Sequence, residues 1–434
     1  MSNRHIIYIL ALLFLAPAAC FAQYLRINHL DSRTDFSFDL NHLYNYNNYE
    51  RNRWGGGLFL QTPLRYDKRY GYDFQNSLRT TAYLGWGTGD KAWKYGGDLS
   101  LLFPHYDFRR ITLGYRHDVE QIGGHSFYSY NIFNTIENSS YFSSRYSAVD
   151  RLWLAAELDF RGPGVVVATL RHSSESLLFN AKGLLFPKID AADSRPKSDY
   201  DEAIVQLLWG EHWTIDLQAG TALHHFDNSR EPFARLVAQY SNTLKLNNNW
   251  GNLRLYAQCG TTLGHDTPIS RRFSLGGTGG SYYYFSNTLL TLRPNAAMAD
   301  SYAHLTAVYT VGRPLWSNAL SHPTPFLQLN VLWGALRSYN GLSETGLYIL
   351  HNGNAINTEL QDPDPTAETL MLFAPYYGIF EPALGIDQLV RWGIIDFGVS
   401  VAWQMTPKKS LLHSDNFFDK FAVMCVAKLV FDNK

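Results

Sequence analysis

Apolar residues alternate with polar or small residues at every second position over much of this chain. The clearest alternating runs are 82–87, 94–101, 110–116, 152–160, 205–209, 213–220, 252–258, 327–333 and 395–404. In the run 152–160, Leu154 and Leu158 share one face while Glu157 lies on the other. A period of two is the pattern of a β-strand, whose successive side chains point to opposite faces. The pattern therefore predicts an all-β fold.

The length of these runs distinguishes between two kinds of all-β protein. Several runs reach about ten residues, the length that a tilted strand needs to cross a bilayer, whereas strands of soluble sandwiches average about five or six. Many runs also end on an aromatic residue, such as Phe160, Trp209 or Trp333, where lipid headgroups would lie. We therefore predict a single antiparallel transmembrane β-barrel of about 16 strands, within a range of roughly 14–18.

The composition agrees with a barrel and excludes two other classes of protein. Charged residues make up 17% of the chain and aromatic residues 15%, whereas soluble domains carry about 25% charge. The mean hydropathy of -0.22 excludes a polytopic helical membrane protein, but suits a barrel in which every second residue faces a polar lumen. The net charge of -1 lacks the basic excess of nucleic-acid-binding proteins, so no nucleic-acid partner is expected.

The N-terminus has the pattern of a secretory signal peptide. Arg4 and His5 precede an apolar run over 6–20, and the small residues Cys20 and Ala22 occupy positions -3 and -1 before a cleavage site after residue 22. We therefore assign 1–22 to a signal peptide and 23–434 to the outer-membrane barrel. The alternative is a lipoprotein acylated at Cys20, although Pro17 stands where a lipobox has an aliphatic residue.

The segments between the alternating runs predict the connections. The stretches 88–91 and 161–164 contain Gly with Asp or Pro and are expected to form tight turns between neighbouring strands. The longer polar stretches 190–201 and 340–368 are expected to form outside loops. Short turns on one side and long loops on the other are typical of bacterial outer-membrane barrels.

Two stretches resemble a known family of barrels. The first is 82–96, with the sequence Ala-Tyr-Leu-Gly-Trp-Gly-Thr-Gly-Asp-Lys-Ala-Trp-Lys-Tyr-Gly, and its continuation from Arg110 to Asp118. The second is 272–280, with the sequence Arg-Phe-Ser-Leu-Gly-Gly-Thr-Gly-Gly, followed by Ala299 to Tyr302. Both resemble an outer-membrane barrel domain of unknown function that usually follows a carboxypeptidase-regulatory-like module. That module is missing, so the resemblance implies a barrel-only member.

More distantly, the same stretches resemble the bacterial surface antigen superfamily, whose members assemble or secrete other proteins. In that superfamily the arginine of a Val-Arg-Gly-aromatic tetrad reaches inside the barrel and holds a long loop there. Here the segment 278–281, Thr-Gly-Gly-Ser, stands near the place of the tetrad. The resemblance implies a Gram-negative outer membrane and a non-enzymatic role in envelope transport, assembly or maintenance.

The candidate site follows from the second stretch. Arg271 and Arg272 stand beside Gly276 and Gly277, and glycines allow a loop backbone to fold tightly or to enter a lumen. The two arginines could then pair with carboxylates of the lumen, such as Asp98 or Asp396. The alternative is an exposed flexible loop with two solvated arginines. The wider set of charged residues that the alternation places inside the barrel is Lys94, Asp98, Arg110, Arg116, Glu157, Asp159, Asp216, Arg254 and Asp396.

Three functions remain open from the sequence. The first is the envelope role that the resemblance implies, with outer-membrane lipid and other envelope proteins as partners. The second is a passive pore for small solutes. The third is a lipid-modifying enzyme, because the segment 171–176 contains Ser and His, although neighbouring strand residues point to opposite faces. We assign no catalytic, cofactor-binding or metal-binding residue.

Overall fold

The computed structural model describes residues 24–31, 34–39, 42–47, 49–64, 76–103, 106–121, 146–160, 164–177, 198–210, 212–224, 229–246, 250–264, 267–276, 289–292, 297–318, 320–338, 341–351, 354–357, 368–392 and 395–429. These residues contain the strands β1 Tyr24–Asp31, β2 Thr34–Asp39, β3 Tyr44–Asn47, β4 Arg51–Pro63, β5 Ser77–Gly87, β6 Trp93–Leu102, β7 Phe108–Gln121, β8 Tyr146–Asp159, β9 Gly164–Leu177, β10 Ser198–Trp209, β11 Trp213–His224, β12 Ser229–Lys245, β13 Asn252–Leu263, β14 Phe273–Leu275, β15 Ala297–Ala299, β16 Ser301–Thr310, β17 Thr324–Ser338, β18 Gly341–Ser343, β19 Thr345–His351, β20 Asn354–Asn357, β21 Glu368–Phe373, β22 Ile379–Trp392, β23 Ile395–Trp403 and β24 Phe421–Leu429. Short 3₁₀ turns lie at Ile269–Arg271 and Phe418–Lys420. In this part of the chain, no helix is long and apolar enough to cross a membrane.

Most strands belong to one antiparallel sheet that confirms the predicted fold class. The order of neighbours is β1, β2, β4 to β13, β16, β17, β22, β23 and β24, while the short strands β3 and β18 pair with the ends of β4 and β17. Of the 19 strands in this sheet, 17 therefore occupy separate positions, within the predicted range. The sheet curls into a barrel, and no ladder joins β1 to β24 among the described residues.

The connections differ in length between the two ends of the sheet. At one end, the short-turn end, they are 32–33, 64–76, 103–107, 160–163, 210–212, 246–251, 311–323 and 393–394. At the opposite end, the long-loop end, they include 122–145, 178–197, 264–300 and 339–378. The long loops of bacterial barrels face the outside of the cell, and the short turns face the periplasm.

Three of the predicted connections need correction. Residues 88–90 do form a turn between β5 and β6, but it lies at the long-loop end, and 161–163 lie outside the described residues. The predicted loop 190–201 is wrong in its last part, because Ser198 begins β10. Asp199 and Asp201 lie near the long-loop end of that strand, so the polar sequence there resembles the sequence of a loop. The predicted loop 340–368 contains β18, β19 and β20.

The two faces of the barrel have the reverse of a soluble protein's polarity. On β8, the outward Leu152 and Leu154 are 50% and 47% exposed, whereas the inward Glu157 is 5% exposed. On β11, the outward Leu217 is 48% exposed and the inward Asp216 is 3% exposed. A sheet in water would expose its acids and bury its leucines. The outward face therefore suits hydrocarbon, and the inward face suits a polar interior.

Aromatic side chains project outward near both ends of the strands. Those near the short-turn end are Tyr106, Phe160, Trp209, Trp213, Trp250 and Trp316. Those near the long-loop end are Trp54, Trp93, Trp403, Phe417 and Phe421. Aromatic rings concentrate at the two membrane–water interfaces, since one part of the ring is apolar and another is polar. The two aromatic bands therefore mark the borders of a membrane-spanning zone.

The outward face can be tested with one charged residue. We expect Leu154→Lys to destabilise the barrel by about 2–4 kcal/mol in lipid vesicles, because a lysine near the middle of the bilayer loses its hydration. Leu411→Lys is the matched control, since Leu411 is 60% exposed in the connection between β23 and β24. Urea unfolding, followed by heat-modifiable gel mobility, measures both. Equal and negligible effects would mean that Leu154 faces water.

Candidate functional site

A segment between β13 and β16 lies against the inner side of the barrel. Its described parts, 267–276, 289–292 and 297–300, are called the lumen segment here. They include β14 and β15, which pair as a two-stranded hairpin. The lumen segment contacts β9 and β10 in one part and β22 in another. It therefore extends across the interior of the barrel.

Arg271 is the centre of the first contact. Its Nε donates to Oε1 of Glu202 at 2.6 Å, and its Nη2 donates to Glu202 Oε2 at 3.1 Å and Glu175 Oε1 at 2.8 Å. Its Nη1 donates to Glu175 Oε2 at 3.0 Å and to Ser270 Oγ at 3.1 Å. These five hydrogen bonds match the five N–H groups of a guanidinium. Arg271 is thus fully paired, with four hydrogen bonds to two carboxylates of the barrel wall and one to the neighbouring Ser270.

The guanidinium of Arg271 is buried and lies against an aromatic ring. Its Cζ lies 4.4 Å from the ring centroid of Tyr200, a cation–π geometry. Arg271, Glu175 and Glu202 are each 4% exposed. Burial alone would lower the pKa of Arg271, but the charges of the two carboxylates outweigh it and raise that pKa above its usual value. Removing one partner of such a buried pair typically costs about 3–5 kcal/mol.

The Arg271 site belongs to a longer series of charges on the inner wall. Arg171 donates to Glu202 Oε2 at 2.7 Å, and Arg151 reaches Glu175 at 3.5 Å. Arg151 also pairs with Glu120 at 2.7 Å, and Glu120 in turn pairs with Arg116. Alternation of sign along β7 to β10 allows each buried charge to contact an opposite one. Arg271 is the member of this series that comes from the lumen segment.

Arg272 is held differently from its neighbour. Its Nε donates to the carbonyl of Thr267 at 3.1 Å, and its Nη1 lies 3.5 Å from Asp300 Oδ2. Asp300 also accepts from the backbone N–H of Arg337 at 2.8 Å and from Thr262 Oγ1 at 3.2 Å. Arg272 therefore joins the beginning and end of the lumen segment to each other, whereas Arg271 joins it to the distant wall.

Apolar side chains fix the hairpin of the lumen segment against two glycines of the wall. A Cβ at Gly260 on β13 would lie 2.7 Å from Phe273, and a Cβ at Gly334 on β17 would lie 2.7 Å from Leu275. Phe273 is 2% exposed and also lies 4.4 Å below the guanidinium of Arg235. Glycine at these two wall positions leaves the space that the hairpin fills.

A second polar anchor lies on β22. Glu381 is fully buried, and its carboxylate accepts the backbone N–H groups of Leu290 and Thr291, each at 2.8 Å. The hydroxyl of Thr291 also donates to it, as does Asn330 Nδ2 at 3.0 Å. A buried carboxylate with several N–H donors is well compensated for its lost hydration. The lumen segment is thus anchored to the wall at both β9–β10 and β22.

The structure corrects the predicted partners of the two arginines. Asp98 accepts from Thr81 Oγ1 at 2.6 Å and from Ser100, and Asp396 pairs with Arg391 at 2.7 Å. Asp98 and Asp396 lie on β6 and β23, whereas Arg271 reaches β9 and β10. Gly276 directly follows β14, and Gly277 lies outside the described residues.

The sequence prediction missed the residues that receive the lumen segment. These residues lie on three strands, β9, β10 and β22, and none of the alternating runs recognised in the sequence includes them. They are Glu175, Tyr200, Glu202 and Glu381. A usable signal was present, since Arg171, Ser173 and Glu175 occupy alternate positions with inward polarity. Of the predicted inward charges, Lys94, Arg110, Glu157, Asp216 and Asp396 are buried.

The Ser and His of the segment 171–176 diverge, as expected for neighbours on a strand. His172 points outward and its Nδ1 lies 2.8 Å from Asp201, while Ser173 is fully buried and its hydroxyl accepts from Arg151.

Within the described residues, no group of three or more His, Cys, Asp or Glu could hold a metal ion. The fold and this site together define a β-barrel with an anchored internal loop segment.

The solved structures that match this chain have low sequence identity to it and low TM-scores. No family model matches the sequence, and no curated protein matches it. CdiB from Acinetobacter baumannii is 8% identical with a TM-score of 0.40, and covers 87% of this chain and 57% of that chain. CdiB from Escherichia coli is 10% identical with a TM-score of 0.42, and the match covers 93% of this chain and 64% of that chain. BamA from Haemophilus ducreyi lacking POTRA domains 1-3 is 10% identical with a TM-score of 0.43, and the match covers 93% of this chain and 74% of that chain.

This chain therefore spans 57% and 64% of the length of the two CdiB structures. Identities and TM-scores this low assign no activity and no partner to it.

The glycine at position 260 provides a test of how the lumen segment is held. We expect Gly260→Ala to destabilise the protein by about 1–3 kcal/mol, because the new methyl group displaces the rings of Phe273 and Tyr302. Trypsin should then cut after Arg271 or Arg272, which are buried in the native protein. Gly56→Ala is the control, since no atom lies within 4 Å of its Cβ position. Native protection of both arginines in Gly260→Ala would contradict this packing.

Proposed function

We propose that this chain is an outer-membrane β-barrel of a Gram-negative bacterium whose interior is closed by the lumen segment, and that it acts in envelope transport or assembly with a polypeptide as cargo. The observation that carries the proposal is the pairing of Arg271 with Glu175 and Glu202. A buried guanidinium with four hydrogen bonds to the wall holds a loop inside the barrel, and a loop held in this way can also be released.

The burial of the inner wall favours this function over a passive pore. In a wide, water-filled pore the inward charged side chains contact water. Here Lys94 is 3% exposed, Arg53 is 7% exposed and Glu202 is 4% exposed. Such burial supports an interior filled by side chains and by the lumen segment. The third possibility, a lipid-modifying enzyme, gains no support from His172 and Ser173, which lie on opposite faces of β9.

The function is tested by conductance in planar bilayers. We expect the native barrel to be silent and Arg271→Ala to conduct, because loss of the guanidinium releases the lumen segment from β9 and β10. A variant lacking 270–282 should conduct as well. Arg230→Ala is the matched control and should remain silent, since the side chain of Arg230 is 65% exposed on the outside of the barrel. Heat-modifiable gel mobility establishes that each variant has folded.

Two results would contradict the proposal. Steady conductance of the native protein, unchanged in Arg271→Ala, would mean that the interior is already open and would favour a passive pore. Silence of every variant would mean that the lumen segment does not close the barrel.

Because Arg271→Ala leaves two buried carboxylates without their main partner, a triple variant that adds Glu175→Gln and Glu202→Gln is measured beside it. Its carboxamides remove the uncompensated charge.

A further inference from the structure

We infer that Glu175, Glu202 and Tyr200 form a guanidinium-binding recess that Arg271 occupies in the closed state and that an arginine side chain of a polypeptide cargo occupies after the lumen segment leaves. The inference rests on the proposed function, because the recess is open to another ligand only when the segment is displaced. The three side chains that form the recess lie on β9 and β10.

The geometry of the recess selects a planar, forked cation. Glu175 Oε1 and Oε2 receive Nη2 and Nη1 of Arg271, while Glu202 Oε1 and Oε2 receive Nε and Nη2. Both carboxylates are therefore paired edge to edge with one guanidinium. An ammonium ion has its donors in a tetrahedral arrangement and cannot make these parallel pairs. The Tyr200 ring, 4.4 Å from Cζ, adds a flat surface that favours a planar group.

The recess does not depend on the chain segment that now fills it. Glu175 and Glu202 are separated from Arg271 by 96 and 69 residues, and they lie on paired strands of the wall. Gln218 also donates to Glu202, so this carboxylate keeps its orientation without Arg271. The wall therefore presents the same oxygens to Arg271 and to any other guanidinium that reaches them.

Two wall arginines set the affinity of the recess. Arg171 donates to Glu202 through Nε only, and Arg151 reaches Glu175 at 3.5 Å, the outer limit of a hydrogen bond. Each wall arginine neutralises part of the charge without forming a fork–fork pair. We therefore expect weak, millimolar binding of free guanidinium, which is suited to a cargo that must pass through rather than remain bound.

The first experiment uses Arg271→Ala with guanidinium chloride at about 50 mM, well above a millimolar dissociation constant and still far below the denaturing range. We expect guanidinium to raise the Tm of Arg271→Ala by roughly 2 °C, because at this concentration its binding to the recess of the folded state outweighs its weak binding to the unfolded chain. Sodium chloride and tetramethylammonium chloride at equal ionic strength should not raise it. The native protein should not respond, since its own guanidinium fills the recess. The double variant Arg271→Ala with Glu202→Gln should not respond either.

Each departure from this pattern overturns the inference. An equal response to tetramethylammonium would indicate a general ionic effect. A response retained in the double variant would place the binding elsewhere, and no response in Arg271→Ala would mean that the vacated recess does not bind guanidinium. These outcomes are measured as Tm and not as conductance. The recess can therefore be disproved while the conductance results still support a closed barrel, and the closed barrel can be disproved while guanidinium still binds the recess.

A second measurement covers the case in which Arg271→Ala does not fold. A short arginine-containing peptide is added to the native barrel in a planar bilayer, and the same peptide with citrulline in place of arginine is the control. We expect bursts of conductance with arginine at least tenfold more frequent than with citrulline, because only the charged guanidinium competes with Arg271 for the two carboxylates. Equal burst frequencies with the two peptides would overturn the inference.

Discussion

The whole structure depends on backbone hydrogen bonding between neighbouring strands, because a strand in hydrocarbon has no water to pair with its N–H and C=O groups. The strands from β4 to β13, and then β16, β17, β22 and β23, each have antiparallel neighbours on both sides. Once the backbone is paired in this way, each side chain must face either lipid or the interior. The outward leucines and the inward acids, amides and arginines follow from that constraint.

The polar interior creates a second requirement, since buried charges need partners. Alternating signs along β7 to β10 meet most of this requirement, as in the contacts of Glu120 with Arg116 and Arg151. The lumen segment contributes Arg271 to the same series. The segment is thus held by the same electrostatics that stabilise the wall, while Phe273 and Leu275 add apolar packing against the wall glycines. Charge pairing and shape together explain why this segment lies inside the barrel.

Strands with one apolar and one polar face could be recognised from sequence, and others could not. The runs in β8 and β11 alternate clearly, because their outward leucines oppose inward acids and amides. On β9, Val165, Val166 and Val167 are consecutive, so the period of two is hidden at its short-turn end. The first part of β10 contains Asp199, Asp201 and Glu202 and therefore resembles a loop. The pattern fails where the outward face is polar or the inward face is apolar.

The sequence by itself determined the strand period, the all-β class and a loop in which arginines stand beside glycines. It did so because these properties are local, and alternation and backbone freedom are visible in neighbouring residues. Only the tertiary structure decided which carboxylates receive Arg271, since Glu175 and Glu202 are 96 and 69 residues away, and Asp98 and Asp396 were equally plausible acids. The same holds for Glu381, which accepts backbone N–H groups about ninety residues earlier in the chain. Contacts of this kind depend on how the barrel curls, which no local pattern records.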